Sequence, residues 1–187
     1  MEQFILQRIK QVKKGDQSAF EDVISFYQGR IFQHCFRMLG NRHEAEDLAQ
    51  ETFIRAYVNI DSFDTKRKFS TWLYRIATNL SIDRIRKRKP DYFLDAEIKG
   101  TEGLDMYSQL AAGGRTPVEE VESLELKSSI QQAISELPPK YKGIIVLRYL
   151  EELSLHEISD IMDIPLGTVK TRLYRGREAM RKRLRHV

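Results

Sequence analysis

Apolar residues recur every three or four positions along almost the whole chain, and no stretch alternates apolar with polar residues as a half-buried strand does. The spacing predicts a first helix over roughly Gln3–Lys14, stopped at Gly15. Asp16 and the run Ser18-Ala-Phe-Glu21 read as a capping box that opens a second helix, closed after Leu39 by Gly40. Asn41 is the expected cap of a third helix, about 41–59, with a buried stripe of Ala45, Leu48, Ala49, Phe53, Ala56 and Tyr57. Asp61–Lys68 has the composition of a loop. A fourth helix, about 69–88, runs into the basic cluster from Arg84 to Lys89 and stops at Pro90.

The periodicity then fails. Residues 91–115 gather Gly100, Gly103, Gly113 and Gly114, the signature of a linker. Thr116-Pro117-Val-Glu119 supplies a cap, a first-turn proline and a capping glutamate for a helix to about Glu136. Pro138-Pro139 breaks that helix, and another follows through Leu150. The box Ser154-Leu-His-Glu157 opens a short helix to Met162, Asp163–Gly167 reads as a turn, and Thr168–Val187 is the last helix. The expected fold is all-α: a four-helix domain over 1–90, a linker over 91–119 and a helix-turn-helix domain over 120–187.

Charge sharpens this picture. The net charge of the 187 residues is only +4, but it is unevenly placed. Residues 66–89 and 166–187 are strongly basic, whereas 91–126 carry nine carboxylates (Asp91 to Glu125) against Lys99 and Arg115. Two cationic surfaces on an anionic tether suggest a polyanionic partner. Cys35 is the only cysteine, and with Ile31, Phe32, Phe36 and Leu39 it falls on one helical stripe beside His34. Packing, rather than metal or redox chemistry, is its expected role. No apolar run reaches spanning length and no signal-peptide core opens the chain, so a cytoplasmic protein without membrane insertion is expected. Paired catalytic carboxylates, a Ser/His/Asp set, a phosphate-binding glycine loop and metal-ligand spacing are all missing, so neither an enzyme nor a cofactor is expected.

Three stretches carry candidate chemistry. A short helix, a Pro/Gly turn and a basic helix form a helix-turn-helix pattern. On its wheel Val169, Leu173, Met180 and Leu184 face inward. Lys170, Thr171, Tyr174 and Arg175, near the N-terminal end, would meet base edges, while Arg172, Arg177, Arg181 and Lys182 would hold phosphates. A solvated basic helix on an ordinary bundle is the plain alternative. In the second stretch, Phe63–Lys89, the rings of Phe63, Phe69, Trp72 and Tyr74 interleave with Lys66, Arg67, Lys68 and Arg75, the composition of a single-strand stacking platform, with Trp72 and Phe69 as core residues of the fourth helix the plain alternative. Three adjacent cations at 66–68 repel one another unless something negative is bound. The third is the helix over 41–59, whose outer face shows Glu44, Asp47, Gln50 and Glu51 followed by Ile54 and Val58. Acids there also suit a helix N-terminus. With the two apolar residues beside them, they suggest a protein-binding face.

In order and spacing, "GNRHEAEDLAQETFIRAYVNIDSFD", "RKFSTWLYRIATNLSIDRIRK" and "IPLGTVKTRLYRGREAM" resemble regions 2.2, 2.3–2.4 and 4.2 of extracytoplasmic-function (ECF) sigma factors, and the resemblance spans essentially the whole chain. It implies a subunit that binds core RNA polymerase, at the β′ clamp helices and the β flap, and directs it to promoters, commonly of an envelope-stress regulon. Carried over, it puts Asp47, Gln50, Glu51 and Ile54 on polymerase. Ser62, Phe63, Lys66, Arg67, Lys68, Phe69, Trp72, Arg75 and Asn79 fall at a single-stranded minus-10 element. Lys170, Thr171, Arg172, Tyr174, Arg175 and Arg177 fall at a duplex minus-35 element. A membrane-spanning anti-sigma partner is also implied. Leu73 stands where primary sigma factors carry a second tryptophan, which implies weaker melting and a stricter promoter. The competing reading is a stand-alone helix-turn-helix regulator whose N-terminal domain senses a ligand or dimerises.

Overall fold

A computed structural model of the chain describes residues 2–88 and 127–184. The acidic tether and the Thr116–Glu119 cap lie outside the described residues. Among those that are described, every regular element is helical. In chain order they are α1 (Glu2–Lys13), α2 (Ala19–Leu39), α3 (Arg42–Val58), a 3₁₀ turn (Ile60–Ser62), α4 (Phe69–Arg88), α5 (which includes residues 127–135), α6 (Pro139–Ile145), a π-type turn (Val146–Leu150), α7 (Leu155–Met162) and α8 (Leu166–Leu184).

Local signals explain most of the boundaries. Gly40 closes α2 in the left-handed region, at φ 69°, with its N–H on the Phe36 carbonyl. The Asn41 side chain accepts the Glu44 N–H and opens α3. At Ser154 both halves of a capping box are present, the hydroxyl accepting from Glu157 N–H and the Glu157 carboxylate accepting from Ser154 N–H. The box expected at Ser18 does not form. Ser18 is itself helical (φ −64°, ψ −27°), and its hydroxyl donates instead to Asp16 Oδ1 at 2.7 Å. The last helix also starts earlier than expected, at Leu166, with Val169 N–H already bonded to the Pro165 carbonyl. That shortens the turn to Asp163–Pro165 and draws Gly167 into the first helical turn.

Burial follows the helical stripes. Ile5, Ile9 and Val12 of α1, Val23, Tyr27 and Ile31 of α2, Ala45, Leu48 and Phe53 of α3, and Phe69, Leu73 and Ala77 of α4 form one core. The C-terminal half does not stand apart from it. Ile144, Leu147, Ile158, Ile161 and Val169 belong to the same cluster, and Met38 of α2 sits in a second cluster with Ile134, Leu137, Ile145, Val146 and Ala179. The expectation of two domains joined by a tether thus gains a direct contact along α2 and α4.

Within the C-terminal half, α8 packs through small residues that the wheel overlooked. Gly176 and Ala179 are buried, and a Cβ at Gly176 would lie 2.9 Å from Ile145 Cγ1. Gly176→Val should therefore destabilise the chain by roughly 1–3 kcal/mol through overpacking. A fall in the urea midpoint at constant slope would register this, and an unchanged midpoint would contradict the packing.

Candidate nucleic-acid interface

The loop after α3 is held by its backbone, leaving its cations at the surface. Lys13 Nζ of α1 donates to the carbonyls of Asp61 (3.1 Å) and Phe63 (2.7 Å), and Ser62 Oγ donates to the Asn59 carbonyl. Lys66, Arg67 and Lys68 are exposed beyond this anchor, and the Asp64 carboxylate accepts the Lys66 N–H. With Thr71, Trp72 and Arg75 of α4, Arg67 and Lys68 line a cleft of about 490 Å³ that Glu157 and Asp160 of α7 also line.

The interleaved rings separate by depth. Phe63 and Phe69 are buried, 3% and 0% exposed, and Tyr74 is buried as well. Three of the four rings are therefore core and not stacking faces: Phe69 and Tyr74 lie on the α4 side that buries Leu73 and Ala77, and Phe63, from the loop before α4, packs against Phe69 and Trp72. Trp72 alone is half-buried at the cleft. Phe63 and Phe69 hold it from beneath, with ring centroids 5.3 and 5.6 Å from the indole. Asn79 is exposed on the same helix, in a neighbouring groove that Trp72 also lines.

The cation run does have a negative partner, and it comes from the chain itself. Lys68 Nζ donates to Glu157 Oε1 at 2.8 Å, and Arg75 Nη2 pairs with Asp163 Oδ2 at 3.2 Å. The Lys68 ammonium holds the Glu157 carboxyl at about 2; burial pushes the other way, and the Ser154 N–H and hydroxyl add to the lowering. Removing the ammonium with Lys68→Met should raise the Glu157 midpoint toward the ordinary 4.5, stopping short of it because Ser154 still donates. Because the folded value is depressed, this pair stabilises the structure above the ordinary carboxylate range and is lost as pH falls through about 2. Carboxyl-carbon NMR titration reads the midpoint, and an unmoved value in Lys68→Met would refute the pairing.

On α3, Asp47 and Gln50 are exposed, Glu51 pairs with Arg55 one turn on (2.7 Å), and Ile54 and Val58 are 58% and 74% exposed. Large apolar side chains so open to water, beside acids, form a face suited to protein rather than to DNA. On α8, Lys170 and Thr171 are exposed at the N-terminal end, while Arg172, Tyr174, Arg175 and Arg177 are half-buried along it. The Thr171 hydroxyl bonds back to the Gly167 carbonyl at 3.0 Å.

Cys35 is fully buried, and burial pushes its thiol up to about 12, which keeps it protonated and unreactive. His34 is fully buried too, but not in an apolar setting. Its Nε2 lies 3.0 Å from Thr78 Oγ1, and its Nδ1 stands 3.6 Å from Glu151 Oε1, an electrostatic contact longer than a hydrogen bond. Sequence reasoning missed Glu151. A glutamate in "YLEELS" looks like loop surface, and its partners lie far back in the chain.

Comparison with known proteins agrees with this layout. The family model Sigma-70 region 2 matches residues 23–90, and Sigma-70, region 4 matches residues 127–180. The chain belongs to the ECF sigma factors of bacterial RNA polymerase, a family of transcription initiation subunits and not of enzymes. It is 68% identical to the ECF RNA polymerase sigma factor SigW of Bacillus subtilis over 187 residues, covering all of both chains. To the ECF RNA polymerase sigma-E factor of Haemophilus influenzae it is 36% identical over 179 residues, covering 94% of this chain and 93% of that one. Two solved structures share the fold. One is CnrH in complex with the cytosolic domain of CnrY (TM-score 0.68, 20% identity, 98% of both chains). The other is the sigma factor RpoE with the anti-sigma factor NepR from Bartonella quintana (TM-score 0.63, 21% identity, 89% of this chain and 96% of that one). Among the described residues no helix is long and apolar enough to cross a membrane.

Proposed function

We infer that this chain acts in the cytoplasm, without enzymatic activity of its own, by carrying core RNA polymerase to a two-part promoter of an envelope-stress regulon. The observation that carries the reading is the separation of three surfaces on one chain: a protein-type face on α3, a cationic cleft holding Trp72, and a helix-turn-helix with an exposed N-terminal end. Asp47, Gln50, Glu51 and Ile54 dock on the β′ clamp helices. Trp72, with Ser62, Lys66, Arg67, Lys68, Arg75 and Asn79, takes the single-stranded minus-10 element, while Phe63 and Phe69 brace the indole. Lys170, Thr171, Tyr174 and Arg175 read minus-35 bases, with Arg172 and Arg177 on phosphates. Residues 1–90 and 120–187 form the two working domains and 91–119 the linker between them. An anti-sigma partner is part of the reading, since the solved complexes that share this fold pair CnrH with CnrY and RpoE with NepR.

Magnitudes assign the labour. Opening a promoter unstacks several base steps at about 1.4 kcal/mol each, plus a few kcal/mol for a flipped base. One or two stacked bases return only about 1–3 kcal/mol apiece. The chain can trap an opening but not create one, so polymerase must supply the rest. A gel-shift comparison tests this directly. Free protein should bind promoter duplex poorly and the mixture with core should bind tightly, whereas tight binding of a palindromic duplex by free protein would favour a stand-alone regulator.

A further inference from the structure

The basic residues of α1 take no part in the promoter reading, yet one of them reaches the loop that does. Ile5, Ile9 and Val12 sink the inner stripe of α1 into the core and seat the helix against α2 and α4. Lys13 stands half-buried in its last turn. A lysine there is ordinarily accounted for by the helix's own terminal carbonyls. Lys13 instead carries its ammonium across to two loop carbonyls, that of Asp61 at 3.1 Å and that of Phe63 at 2.7 Å.

The loop stitches itself together locally. Ser62 N–H donates to the Asn59 carbonyl and Phe63 N–H to the Ile60 carbonyl, while Arg67 N–H closes a further turn on the Asp64 carbonyl. Bonds of that kind fix the shape of each turn and not its place on the body. The Lys13 ammonium fixes the place, because its two charge-assisted bonds bracket Ser62 and Phe63 from a helix seated in the core. Ile60 and Phe63 turn inward, 6% and 3% exposed, and Asp61 and Ser62 turn outward. The segment held in this way is the one that meets Trp72. Ser62 and Trp72 both line the cleft and the neighbouring groove, and the Phe63 ring braces the indole. We propose that Lys13 is a positioning residue for minus-10 capture, holding Ser62 and Phe63 in the arrangement that receives an unstacked base. The positioning role rests on the minus-10 reading above; the anchor itself does not. Without the ammonium, each arriving strand has to order the segment for itself, which weakens binding and blurs the choice of base.

Two readouts test the proposal. On the free chain, NMR hydrogen exchange follows the Ser62 and Phe63 amides; with reconstituted holoenzyme, selection from a promoter library randomised over the minus-10 and minus-35 elements follows base preference. Lys13→Met keeps the length and helix preference of the side chain and removes the donor. It should speed exchange of both amides several-fold and reduce the minus-10 base preference about tenfold, leaving the minus-35 preference sharp. Lys13→Arg, whose guanidinium also offers several donors, should restore most of both. Lys14→Met, the same loss of charge at the exposed neighbouring position, should change neither. Unchanged exchange in Lys13→Met overturns the anchor. Faster exchange with a minus-10 preference as sharp as wild type overturns the positioning role and leaves a structural one. An equal loss in Lys14→Met assigns the effect to net charge and overturns the role as well. A wild-type holoenzyme with no minus-10 preference sinks the minus-10 reading and the positioning role with it, while exchange still reads the anchor.

Discussion

Alanine at both Asp47 and Gln50 should abolish co-purification with core RNA polymerase while leaving helicity and the thermal midpoint unchanged. Both side chains are exposed on α3 and neither fills the core, so the fold does not depend on them. At a protein interface the two sit beside Ile54, the kind of open apolar anchor around which binding energy concentrates. Truncating two central contacts at about 2 kcal/mol each amounts to roughly a thousandfold in affinity. The remaining face, Glu51 already paired to Arg55 and Val58 at its edge, cannot replace them. Normal co-purification of the double variant would refute the assignment of this face.

The second large effect is expected at the other end of the chain. Arg175→Ala should flatten the base preference at one minus-35 position, costing about 1–3 kcal/mol against the preferred base and little against the others. Lys182→Ala, further along the exposed face, should instead weaken binding evenly across sequences and lower its salt dependence. Promoter-library selection with reconstituted holoenzyme distinguishes the two. A uniform loss for Arg175→Ala would move that residue from base to phosphate.

Much of this architecture was legible because its signals are local. Asn41 and Ser154 cap their helices as their side chains suggest, and the α3 stripe from Ala45 to Ala56 buries as its spacing requires. The run Lys66-Arg67-Lys68 asked for a negative partner, and Glu157 supplies one to Lys68 within the chain. What escaped the sequence depends on separation. Ser18 resembled a cap, but Asp16 competed for its hydroxyl. Phe63 and Phe69 resembled a platform, yet whether a ring faces solvent depends on which neighbours α1 and α4 place over it. Glu151 meets Tyr74 and Arg37 across 77 and 114 residues, and no periodicity encodes such a meeting. The contact between the two halves was invisible for the same reason, being spread over α2, α4, α6 and α7.

The central claim is that two cationic surfaces serve one promoter through a polymerase held on α3. Run-off transcription in vitro tests it most directly, with purified chain, core RNA polymerase and templates in which the minus-35 and minus-10 elements are scrambled in turn. The expected result is a discrete transcript that needs the chain and core together and disappears when either element is scrambled. A core enzyme whose transcription is indifferent to the added chain would contradict the account.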